Sequence, residues 1–205
     1  MSDIIDEGYI KFRLEWDKGD PVSKEDYYEL GKVRSKLFDL GLIGEYDNGI
    51  GFGNISQKVK GGTLITGTQT GGTRRLIGQH YTWVTSYSIG ENWVRCKGPI
   101  GASSETLSHI ALYEMNPRIG AIIHVHNKPI WKKYLGVLPT TDKSVAYGTP
   151  DMAKELQYMA SQCEKLSRTG FSDVSGILIM AGHEEGIIAF GEDLSSTEQL
   201  IDTIL

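Results

Sequence analysis

The run Ile119-Gly120-Ala121-Ile122-Ile123-His124-Val125-His126 constrains this chain more than any other stretch. An apolar segment of that length, set off by Asn116-Pro117 before it and Asn127 after it, predicts a short buried strand. A buried strand needs neighbours to pair with and helices to cover it, so the flanking sequence must supply both. His124 and His126 are two residues apart, and in an extended strand both imidazoles point to the same face. A metal could use both, although two hydrogen-bonded histidines would look the same in sequence.

The flanking sequence has the required elements. Residues 23–41 predict a helix, with Ser23 as the cap, Asp26 three residues on, Tyr27, Leu30, Val33, Leu37 and Leu40 at helical spacing, and Gly41 and Gly44 as the stop. Glycines punctuate residues 49–90 around short apolar runs such as Leu64-Ile65, the pattern of strands and turns. A strand pair is expected at 83–88 and 92–96, closed by Gly98-Pro99-Ile100-Gly101. Ser103 is placed to cap a helix over 105–115 with Leu107, Ile110, Ala111 and Met115 inward, and Asn116-Pro117 ends it. Beyond the central run, helices are expected from Lys128 to Tyr134 and over Pro150–Leu166, with Met152, Leu156, Met159, Ala160 and Cys163 inward. Strands at 175–181 and 186–190 and a helix from about Ser195 complete the chain. With neither repeat nor low-complexity linker, residues 1–205 read as one α/β domain, residues 1–22 being a peripheral extension.

Composition excludes several classes of function. Lys and Arg total 21 against 26 Asp and Glu, a formal charge of -5, and nowhere do cations cluster as a nucleic-acid surface requires. Neither a bilayer-length apolar stretch nor a signal-like N-terminus is present, so a cytoplasmic protein without a membrane partner is expected. Cys96 and Cys163 are too few and too distant for a disulfide framework and read as small buried apolar residues.

Chemistry-bearing residues recur along the chain. His183, in a Gly-flanked turn between two apolar runs, is the best third partner for His124 and His126 in an open three-ligand site. Ser103-Ser104-Glu105 lies at a helix start, where free amides favour an anion; equally, Ser103 merely caps and Glu105 merely complements the dipole. Gly53-Asn54-Ile55-Ser56 and Thr66-Gly67-Thr68 add amide and hydroxyl donors, and each alone also reads as a plain turn.

Taken in order, these segments, with His109 after Ser103-Ser104-Glu105 and Asn127 closing the histidine strand, resemble the class II aldolase and adducin head family from about residue 25 to 195. The resemblance implies a three-layer α/β/α domain around a largely antiparallel sheet and assembly as a homotetramer with active sites near subunit interfaces. It implies a divalent metal, usually zinc with manganese or cobalt as alternatives, held by His124, His126 and His183. Glu105 is then the acid/base group, and Asn54, Thr66, Gly67, Ser103 and Ser104 surround the phosphate, or its replacement, of a small sugar substrate. The implied activity is aldol cleavage or condensation through a metal-stabilised enediolate. Family relatives that dehydrate, epimerise or decarboxylate, and the non-enzymatic adducin head, are the alternatives.

The sequence departs from the family pattern in places. His183-Glu184-Glu185-Gly186 puts two acidic residues where a glycine commonly follows the third histidine, so either the turn is longer or Glu184 or Glu185 alters the metal's surroundings. Thr66-Gly67-Thr68-Gln69 replaces the usual Thr-Pro segment, and Gly101-Ala102 replaces the proline before Ser-Ser-Glu. No counterpart is expected for the tail tyrosine that some members use as a proton donor, and Tyr113, Tyr134 and Tyr147 are the candidates to substitute for it. His109, one turn after Glu105, is either a partner of the site or a core histidine. His80, Arg74 and Arg75 read as structural or surface residues.

Overall fold

The structure, a computed structural model, describes residues 8–163 and 174–205. In chain order the elements are β1 (Arg13–Lys18), α1 (Lys24–Asp39), β2 (Gly44–Glu45), β3 (Gly51–Phe52), β4 (Asn54–Val59), β5 (Gly62–Thr66), β6 (Tyr81–Ser88) and β7 (Trp93–Gly98). There follow α2 (Thr106–Met115), β8 (Ala121–His126), α3 (Lys128–Tyr134), α4 (Pro150–Cys163), β9 (Gly176–Ile179), β10 (Gly186–Gly191) and α5 (Leu194–Asp202). The side chain of Cys163 and the expected helical residues 164–166 lie outside the described residues, as do residues 1–7.

Eight strands form one sheet in the order β1-β7-β6-β5-β4-β8-β10-β9, antiparallel throughout except where β1 runs parallel to β7. The histidine strand β8 lies between β4 and β10, and all six of its residues are buried. Alternation along β8 assigns its side chains. Ala121, Ile123 and Val125 join the core beneath α1 and α5, whereas Ile122 joins the opposite core beneath α2 and α4. The same alternation splits β10, with Ile187 and Ala189 on the α1/α5 side and Ile188 and Phe190 on the α2/α4 side. The chain is therefore a three-layer α/β/α domain with a mostly antiparallel central sheet.

Helix ends follow local chemistry with two adjustments. Ser23 occupies the cap of α1 in extended backbone, but its hydroxyl donates to the Asp26 carboxylate (2.7 Å) rather than receiving an amide. Gly41, at φ +68°, supplies the left-handed turn that ends the helix. In α2 the cap is Glu105, two residues later than Ser103, whose carbonyl receives both the Thr106 amide (3.1 Å) and the Thr106 hydroxyl (2.6 Å).

Sequence patterning missed the short β2 and the longer β1. Arg13–Lys18 adds an edge strand to β7, and Phe12 and Val22 enter the two cores, so these residues of the expected N-terminal extension are built into the domain. Its charged residues, with Arg13, Asp17 and Lys18 exposed and Glu15 partly so, suit a solvent-facing edge. Cys96 is a free, fully buried thiol in the core.

Buried polar groups tie the elements together on both faces of the sheet. Arg34 on α1, 1% exposed, donates to four backbone carbonyls: Thr70 (3.0 Å), Gly71 (2.6 Å), Arg74 (2.9 Å) and Thr73. Burial lowers its pKa to about 10, still leaving it charged at neutral pH, and it ties the 70–74 loop to α1. Arg74 adds a bidentate contact to Asp39 at 2.6 Å. On the other side of the sheet, Ser56 bridges His109 Nδ1 (2.7 Å) and the Tyr113 hydroxyl (2.8 Å), making His109 a core histidine.

Burial pushes the His109 pKa from 6.5 to about 3, so the folded protein holds it neutral. Unfolding frees the ring to take up a proton, and the unfolded chain then binds more protons than the native one. Stability is consequently complete above about pH 6.5 and falls as pH drops from there toward 3. Between pH 6.5 and 5, His109 alone is expected to cost about 2 kcal/mol. Urea midpoints of the parent and of His109→Asn across that range measure this: the parent should show the steeper acid slope.

Candidate metal centre and active-site cleft

The fold converges three histidines from two places in the chain. On β8, His124 and His126 share the face of Ile122 but lie beyond it, towards the end of the sheet where α2 begins. Strand β10 runs antiparallel to β8 with Gly186 opposite His126, so the turn that precedes β10 delivers His183 to the same end. The ring centroids stand 4.8 Å (His124 to His126), 5.0 Å (His124 to His183) and 4.8 Å (His126 to His183) apart. One ring nitrogen from each lies within 4.8 Å of the others, and all three residues are buried. Gly186 makes room, since a Cβ there would approach His124 Nε2 at 3.2 Å and the His183 ring at 3.2 Å.

These residues fit a divalent metal. Desolvation, then the neighbouring histidines, hold His124 and His126 well below the usual imidazole pKa, so both are neutral, as ligands must be. His124 Nε2 is buried and has no hydrogen-bond partner among the described residues. Its other nitrogen, Nδ1, lies 3.4 Å from the Asn54 side-chain amide, because Asn54 pairs with His124 across the sheet. Turning that amide over presents its oxygen, itself unpartnered among the described residues, to Nδ1–H and leaves the Nε2 lone pair for a cation.

Glu105 closes the cluster. It caps α2, is 2% exposed, and places Oε1 3.8 Å from His183 Nδ1. Around it runs a cleft lined by Asn54, Gly67, Ser103, Ser104, Glu105, His124 and His183, and among the described residues that line it is no Lys or Arg. Of the residues singled out in sequence, Thr66 stands apart: its hydroxyl accepts the Ile55 amide (3.2 Å) and ties β4 to β5, while Gly67 and Thr68 face the cleft.

The candidate tyrosines separate clearly. Tyr113 is buried on Ser56, and burial raises its phenol pKa. Tyr134 packs among the residues of the α1/α5 core. Tyr147 lines the cleft and stacks on the His183 ring, with centroids 4.4 Å apart and planes at 27°. His80 takes a structural role, accepting the Ile77 amide on Nδ1 (3.0 Å). Sequence reasoning missed Tyr46, which sits at 3.0 Å from His126 Nδ1. It lies in Glu45-Tyr46-Asp47-Asn48-Gly49, a turn with no pattern that marks a site residue.

The sequence matches the family model described as Class II Aldolase and Adducin N-terminal domain over residues 45–204. The chain belongs to the class II aldolase and adducin family. Among solved structures it is similar to an L-fuculose 1-phosphate aldolase, at 19% identity and TM-score 0.65, covering 90% of this chain and 83% of that one. An L-fuculose-1-phosphate aldolase from Thermus thermophilus matches at 22% identity and TM-score 0.55, covering 87% and 85%. YgbL from Escherichia coli, described as a candidate aldolase/epimerase/decarboxylase, matches at 20% identity and TM-score 0.58, covering 88% and 85%. No curated protein matches at a significant level. At these identities the structural likeness establishes the fold.

Proposed function

We propose that the cleft is a metal-dependent lyase site that breaks or forms a carbon–carbon bond in a small ketose or its phosphate. The observation that carries this reading is the buried Glu105 carboxylate placed against a cluster of three histidines at the head of a helix. His124, His126 and His183 would hold the metal, and an all-imidazole set suits zinc, with manganese or cobalt as alternatives. A divalent ion bound there supplies Lewis-acid polarisation of a substrate carbonyl.

The remaining work falls to the chain. Glu105 accepts the proton of the hydroxyl on the carbon to be released as an aldehyde, the carbon–carbon bond breaks, and the electron pair stays with the carbonyl-bearing fragment. The same carboxyl group returns a proton to that fragment. Ser103, Ser104, Asn54 and the Gly67 segment line the cleft with neutral donors beside the α2 N-terminus, a setting for a phosphate or another anionic group without a cationic side chain. Thr66 supports them through its bond to Ile55. Burial of the site keeps water from the carbanionic fragment. Assembly as a homotetramer belongs to the same proposal and is checked by mass in solution.

The test is elemental analysis of protein purified without added metal, followed by incubation with ketose 1-phosphates and free ketoses. About one zinc-like ion per chain and release of an aldehyde from one of these sugars is the expected result. Epimerised or dehydrated sugar would keep the site and replace the reaction. Absence of metal binding, with zinc, manganese or cobalt added, would overturn the reading in favour of a binding domain.

A further inference from the structure

Behind the histidine cluster, a tyrosine and a glutamate form a hydrogen-bonded line to one of the candidate ligands. The Tyr46 hydroxyl lies 3.0 Å from His126 Nδ1 and donates to Glu185 Oε2 at 3.2 Å. A phenol has one proton. With that proton on the carboxylate, which only accepts, the contact to His126 requires the ring to donate from Nδ1 and the Tyr46 oxygen to receive. His126 is thereby fixed as the Nδ1–H tautomer, with the Nε2 lone pair available to the cluster. Phe52 braces the arrangement, its ring 4.6 Å from Tyr46 and 5.5 Å from His126 between centroids.

The backbone of Glu185 is the second observation. Its φ is +72°, the left-handed region that favours glycine, and its neighbour Gly186 is not the residue that adopts it. The turn is pinned on both sides: the Glu185 carbonyl accepts the Asn127 amide (3.1 Å) and the Gly186 amide donates to the His183 carbonyl (2.9 Å). A glutamate held in a glycine conformation, in the turn that carries His183, with its carboxylate on Tyr46, is a departure from low-strain sequence at a functional site. Lys128 stands at 3.8 Å from the other carboxylate oxygen and at 2.7 Å from Glu184, so one ammonium faces both carboxylates.

We infer that Glu185 and Tyr46 are positioning residues that set the tautomer and orientation of His126 for metal binding, an inference that rests on the metal-site reading above. Neither residue lines the cleft, and the contact that links them to the cluster is the one between Tyr46 and His126 Nδ1.

The experiment titrates zinc and cobalt into the metal-free parent, Tyr46→Phe, Glu185→Gln and Glu185→Gly, and records the visible absorption of the cobalt forms and the melting temperature of each metal-free protein. Tyr46→Phe and Glu185→Gly are expected to weaken metal binding by about 10- to 100-fold and to shift the cobalt bands. Glu185→Gln keeps an oxygen that can accept from Tyr46 and should lose less. Glu185→Gly removes the carboxylate and also relieves the left-handed backbone, so its metal-free form should melt no lower than the parent. A merely structural role would lower that melting temperature together with affinity. Affinities within about twofold of the parent, against the 10- to 100-fold expected, and unchanged cobalt spectra would overturn the inference. The Glu185 variants decide it if Tyr46→Phe does not fold. A parent that binds neither metal would overturn the metal-site reading as well, so the two failures are distinguishable.

Discussion

Glu105→Gln is expected to retain the parent's metal content and fold while losing about 10²–10⁴-fold in turnover on whichever ketose the screen identifies. The side chain is 2% exposed, caps α2 and lies 3.8 Å from His183, and the amide reproduces its shape without its basicity. A buried charge is also removed, so thermal stability should hold or rise. Steady-state kinetics beside metal stoichiometry makes the measurement. Full activity with full metal would take Glu105 out of the mechanism.

The double substitution His124→Ala/His126→Ala is expected to abolish metal binding and, with it, turnover. Both side chains come from one fully buried strand whose other residues, Ala121, Ile122, Ile123 and Val125, bind it into the two cores, so the strand itself should persist. The readout is the melting temperature with and without zinc. A ligand at about 100 times its Kd stabilises the native state by about 2.7 kcal/mol, so the parent should melt higher with zinc and the variant should not respond. An equal rise in both would show that any bound zinc sits elsewhere.

Much of this arrangement was legible along the chain, for identifiable reasons. The central strand announced itself because apolar residues without interruption mean burial, and the spacing of His124 and His126 placed them on one face whatever the sheet around them. The helices α1, α2 and α4 were legible from 3.6-residue periodicity, and their starts moved by no more than about one or two residues. Strand β1 was not, because none of its residues is buried and even Trp16 is exposed, and such an edge strand carries little apolar signal. Thr66 read as a substrate contact, yet its hydroxyl serves the β4–β5 pairing, since a hydroxyl's partner depends on which neighbour the register brings within reach.

The sequence by itself determined the family and the α/β class, and it supplied the histidines and the glutamate on which the proposed site rests. Residue type and local spacing carry that information directly. Only the tertiary structure decided that His183 meets the β8 pair, which follows from β10 running antiparallel to β8. It also decided that Tyr147 faces the cleft while Tyr113 serves the core, and that Tyr46 stands behind His126 with Glu185 behind it. Tyr46 and His126 are 80 positions apart, and a 3.0 Å contact between them arises from the way the turn before β3 folds over the end of β8, which no local pattern encodes.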